Sequence, residues 1–148
     1  MTRRVPVLAF VAFVAAFAVG LASPAAAKGK SKLEIASVDF PNPGAITKDR
    51  EKQITSSIRR LAMQSAKNLD FGPDKVVVTL IVRELSTSED EGVLKVACTL
   101  IGRIKGGGSA RSKIAFGGKP DKKKKIEKQV LASVTDGVMI RLAELART

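Results

Sequence analysis

Residues 75–85 read KVVVTLIVREL, and this stretch limits the possible folds more than any other. From Val76 to Val82 every residue is apolar or β-branched, which favours extended backbone over helix. A strand with one wet face alternates apolar and polar side chains. This one is apolar on both faces until Arg83, so it predicts a central strand covered on both sides near its start.

The other elements are read by period. KLEIASVDF, residues 32–40, is a first strand whose apolar phase slips between Ile35 and Ala36, which predicts a bulge. PNPG at 41–44 ends it. A helix is expected over 47–69: Thr47 caps it, Asp49 and Glu51 suit its first turn, and Ile54, Ile58, Leu61, Ala62, Ser65 and Leu69 form its apolar stripe. DFGPD at 70–74 stops that helix, with Asp70 and Asp74 as caps. After the strand at 75–85, STSEDEG reads as a polar loop. VLKVACTLIGRI, residues 93–104, alternates, with Leu94, Val96, Cys98, Leu100 and Ile104 on one face and Lys95, Thr99 and Arg103 on the other. KGGG at 105–108 is a turn. SARSKIAF, residues 109–116, returns with Ala110, Ser112, Ile114 and Phe116 inward and Arg111 and Lys113 outward. The last helix is expected over 121–146, with Ile126, Val130, Leu131, Val134, Val138, Leu142 and Leu145 in its stripe. Gly137 near its middle costs about 1 kcal/mol against alanine, which predicts a strand packed closely there.

The first thirty residues indicate the compartment. Arg3 and Arg4 precede an unbroken apolar and small-residue run at 7–22, and Ala25 and Ala27 fit the small-residue rule for cleavage before Lys28. Together these read as a secretory signal peptide over 1–27. Pro6 and the strongly apolar core favour the general secretion route over a twin-arginine one. The mature chain is then a single domain, residues 28–148, expected in the periplasm or secreted. Its one cysteine, Cys98, cannot form an internal disulfide, so packing alone must hold the core.

The element order is β-α-β-β-β-α. Short loops join strands two, three and four into an antiparallel meander. The first strand reaches the second through a helix and is expected parallel to its neighbour, whichever strand that is. Two amphipathic helices need one apolar sheet face. The fold expected is therefore an α+β two-layer sandwich, a four-stranded mixed sheet with both helices on one face. In the segments KVVVTLIVREL and VLASVTDGVMIRLAEL, and in this order and size, the chain resembles bacterial envelope accessory modules of the kind seen in lipopolysaccharide-assembly lipoproteins. Those proteins carry a lipidated N-terminal cysteine, which this chain lacks. The resemblance implies an envelope accessory role and carries over no functional residue.

Much enzymatic chemistry is disfavoured. With no histidine there is no ready general base near neutral pH. No serine has a histidine partner, and no Ser-x-x-Lys occurs in the mature domain. GKS at 29–31 lacks the upstream glycine of a phosphate-binding loop and precedes a strand instead of following one. The usual zinc ligand sets are excluded, and EDE at 89–91 reads as a solvated tip rather than a calcium site. Cys98, on an apolar strand face, reads as a buried, inert thiol. Glu84 and Asp136 could in principle form an acid pair, although nothing in the sequence brings them together. No cofactor is expected.

The charge is more informative. Without Arg3 and Arg4 the chain keeps 24 basic against 14 acidic residues, a net +10. Residues 105–128 alone hold Lys105, Arg111, Lys113, Lys119, Lys122, Lys123, Lys124, Lys125 and Lys128 against Asp121 and Glu127. These nine are the candidate anion-binding residues. A lysine run in a helix's first turn opposes the helix dipole, and Asp121 as the cap would offset part of that. Free amides beside cations suit a phosphate or carboxylate. The bland alternative is a solvated face. Export and the lack of exposed aromatics make nucleic acid the lesser partner, with an anionic envelope component or an acidic protein ahead of it. The leading reading is a non-enzymatic envelope binding or assembly module. The alternatives are an enzyme or inhibitor with an uncoded site, and an extracellular nucleic-acid binder. The sequence leaves the oligomeric state open.

Overall fold

The computed structural model describes residues 32–42 and 46–148, so the leader and the GKS triplet lie outside the described residues. The elements are β1 (Leu33–Asp39), α1 (Lys48–Ala66), β2 (Val76–Asp90), β3 (Val93–Ile104), β4 (Ser109–Gly118), a 3-10 turn (Pro120–Lys122) and α2 (Lys123–Ala146). The sheet order is β1-β2-β3-β4, with β1 parallel to β2 and the other pairs antiparallel. Both helices contribute to one core on one face, so the α+β sandwich expected from the sequence is the fold observed. The neighbour of β1, which the sequence leaves open, is β2.

The apolar slip in β1 is a bulge: Ile35 pairs with Val78 and Ser37 with Thr79, so Ala36 has no partner. A second irregularity lies between Val82 and Glu84. It moves the side-chain phase of β2 by one, placing Glu84 opposite Thr99 and Leu85 opposite Cys98.

Four expectations are corrected. First, the polar stretch after β2 is not a loop. The strand runs to Asp90 and turns tightly through Glu91 and Gly92, whose φ angles of 48° and 76° give a two-residue hairpin. Ladder bonds along β3 hold this segment extended despite its polarity. Second, β2 is covered on one face only. Val76, Val78, Leu80 and Val82 are buried under the helices, whereas Val77, Thr79 and Ile81 are half-buried on an open face. Third, Leu145 in the last turn of α2 and Phe116 near the end of β4 are exposed, because each sits at the margin of the core. Fourth, α1 ends at Ala66, and its last carbonyls are satisfied by i→i−3 bonds through Leu69.

The helix layer sits very close to the sheet at α2. A Cβ on Gly102 would lie 2.5 Å from Leu142 Cδ1 and 2.7 Å from Val138 Cγ1, both on buried side chains. A Cβ on Gly137 would lie 2.8 Å from Ser112 Oγ, which is the close approach that the mid-helix glycine predicts. The core is built on Ile54, Ile58, Leu80, Leu100, Val134 and Leu142. Each such side chain contributes roughly 1.5–3 kcal/mol by leaving water.

Candidate anion-binding site

Both helices follow strands that point the same way. β1 is parallel to β2, and β4, reversed twice through β3, is parallel to it as well. The helices therefore begin at the same end of the molecule, and their positive dipole ends lie side by side. Arg50, two residues into α1, pairs with Glu127 in the second turn of α2. Farther along, the Ser65 hydroxyl donates to the Asp136 carboxylate, keeping the two helices side by side.

The α2 start differs from expectation in one respect. Asp121 is not its cap. Pro120 begins a separate 3-10 turn closed by Lys122 N–H donating to Lys119 O at 3.0 Å, which puts Asp121 a turn too early. Lys122 stands at the cap position with no side-chain cap bond, and no acid lies in the first turn of α2. Lys123, Lys124 and Lys125 fill that turn, all exposed. In contrast, Thr47 does cap α1, accepting from Arg50 N–H.

An open groove of about 590 Å³ lies between the two helix starts. Arg50, Lys52 and Ser56 from α1 and Lys124 and Lys128 from α2 rim it, over a floor that includes Ile54 and Leu131. Glu127 is taken up by Arg50. Lys52, Lys124 and Lys128 make no ion pair among the described residues.

The nine candidate cations thus do not form one patch. Lys124 and Lys128 line the groove, and Lys119, Lys122, Lys123 and Lys125 are exposed in the neighbouring turns. Arg111 and Lys113 point from β4 onto the opposite, open face of the sheet, where Lys113 lies 3.6 Å from Glu84. Lys105 sits in the β3–β4 turn, roughly 30 Å along the strands from Lys119. The sequence reading missed Arg50 and Lys52. Their neighbours Asp49 and Glu51 cancel the local charge, and only the parallel run of the helices brings them to the lysines. The register also places the acidic β2–β3 tip at the Gly118 end of β4, since Leu94 faces both Glu89 and Gly118.

The remaining candidates are accounted for by the geometry. Glu84 accepts from the Thr99 hydroxyl at 3.3 Å on the open face, while Asp136 holds Ser65 between the helices, so the two acids are not a pair. Thr99 lies on the outer face, as its phase predicts, but Glu84 beside it and Lys113 opposite leave it 1% exposed. Cys98 is buried, and desolvation, with added repulsion from Glu84 and Glu127, pushes its thiol up to about 12. Asp70 accepts from Gly72 N–H at 2.9 Å, closing the turn after α1. The bond and charge of Lys75 lower the carboxyl pKa of Glu34 below the usual value. Among the described residues, no group of three or more metal-ligating side chains converges, and no helix is long and apolar enough to cross a membrane.

No family model matches the chain, and no curated protein matches it in sequence. Similar solved structures do exist. A minor lipoprotein from Acinetobacter baumannii has a TM-score of 0.45 at 13% identity over 76% of this chain and 91% of that one. A candidate lipoprotein from Caulobacter crescentus CB15 has a TM-score of 0.45 at 12% identity over 81% and 91%. A hypothetical protein from Chlamydia trachomatis has a TM-score of 0.42 at 11% identity over 73% and 97%. At these identities and scores the likeness assigns no activity to this chain.

Proposed function

We propose that this is an exported, non-enzymatic envelope module that holds an anionic envelope component in the groove between its two helix starts. The observation that carries the reading is the convergence of Lys52, Lys124 and Lys128, none of them ion-paired among the described residues, on one groove beside two helix N-termini. A single lysine in a helix's first turn costs about 0.3 kcal/mol or more. Here α2 has three there and no capping acid, so the arrangement works against local stability and in favour of an incoming phosphate or carboxylate. The leader supports export. The lack of histidine and the separation of Glu84 from Asp136 support a role without catalysis. Binding is expected to weaken as salt rises, because the groove is open to solvent.

The test uses vesicles of phosphatidylcholine alone, vesicles containing phosphatidylglycerol, and an acidic polysaccharide resin. Wild type should be retained by an anionic probe and not by phosphatidylcholine. The variant Lys52→Gln/Lys124→Gln/Lys128→Gln should lose most of that retention at unchanged circular dichroism. Equal retention of variant and wild type would overturn the reading.

A further inference from the structure

The open face of the sheet carries a pattern that neither the helices nor the groove explains. One row crosses all four strands in register: Asp39 on β1, Ile81 on β2, Ile101 on β3 and Arg111 on β4. It reads acid, apolar, apolar, base. At the turn end an acid and a base again flank an apolar residue of β2, without a β4 member. Glu34 is paired with Val77, and Lys105 donates its backbone N–H to Val77 O at 2.9 Å. Farther along, Ala97 faces Ala115 and Lys95 faces Gly117, so that part of the face carries small residues on β4, and the buried Thr99 does not stand proud of it.

We propose that a second copy of this chain packs on this face, about a two-fold axis parallel to the strands. Such an axis reverses the strand order, laying β1 of one copy over β4 of the other. Asp39 then faces the partner's Arg111, and Ile81 faces the partner's Ile101; the same operation returns both contacts, as a closed dimer requires. This contact supplies the second cover that the apolar phase of β2 calls for. It places acid over base at both margins, where complementary charge fixes register. Aligned sheets pack within about 30° of each other, so the long Arg111 side chain stays in reach of the facing carboxylate. Four strands about 4.8 Å apart and some eight residues long give a small face. The dimer is therefore reversible and concentration-dependent. The helix groove lies on the opposite side of each copy and stays open.

Sedimentation equilibrium on the protein recovered from the exported fraction tests this. The expected result is a monomer–dimer equilibrium in the micromolar range. Asp39→Arg and Arg111→Asp should each weaken it at least tenfold, and the double variant Asp39→Arg/Arg111→Asp should restore it to within a few-fold of wild type. Both positions are exposed, and circular dichroism checks that each variant stays folded. Ile81→Lys should abolish association. A monomer at every concentration, or a double variant no better than the singles, would overturn the proposal.

Discussion

Arg59 on α1 reaches around the sheet edge and donates to the main-chain carbonyl of Ala36, 3.3 Å away, with a second bond to Ile35 O at 3.5 Å. These are the carbonyls at the bulge of β1, where the ladder to β2 is interrupted. On the other edge, Arg141 from α2 donates to Arg111 O on β4 at 2.9 Å. Each outer strand therefore has an edge carbonyl covered by an arginine from the helix layer, which blunts edge-to-edge pairing.

Replacing Arg59 tests that role. Arg59→Ala should lower stability by about 1 kcal/mol or less, since the bonds are partly solvated. It should also raise the aggregation rate on heating, measured by light scattering, more than the stability loss alone accounts for.

Thr135 is fully buried in α2, and its hydroxyl has no hydrogen-bond partner among the described residues. Thr135→Val keeps the shape and removes the orphan group. It should stabilise the fold by about 1 kcal/mol, read from the denaturant midpoint at unchanged slope.

Gly102 faces Leu142 and Val138 with no space for a methyl group. Gly102→Ala should destabilise by about 1–3 kcal/mol, because both neighbours are locked in the core. A calorimetric melting temperature equal to wild type would contradict the packing described.

The Cys98 thiol keeps its proton up to about pH 12 when folded, whereas an unfolded thiol ionises from about pH 8.5. Between these values the folded state holds the extra proton, so stability falls as pH rises through that window. Cys98→Ala should be less stable at neutral pH and show a flatter alkaline slope. Ellman's reagent should label wild type only after denaturant is added.

The elements were legible because their periods are unmixed. Ile54, Ile58 and Ala62 recur at helical steps, and Leu94, Val96, Cys98 and Leu100 alternate. The hairpin through Glu91 and Gly92 was hidden because β2 changes phase at its irregularity and then turns polar. The double-sided apolar run of β2 marks a need for cover without saying whether this chain supplies it. The site was half legible. Lys124 and Lys128 stand out as part of a charge run, but strand alternation sends Arg111 and Lys113, only a few residues away in sequence, to the opposite face. Arg50 and Lys52 join the groove through topology alone.

The most direct test of the groove is an amide chemical-shift map on adding a short-chain phosphatidylglycerol. The result expected is a set of shifts confined to residues 50–57 and 123–131, lost in Lys52→Gln/Lys124→Gln/Lys128→Gln. Shifts centred on Lys105 and Arg111, with the groove amides unmoved, would contradict it.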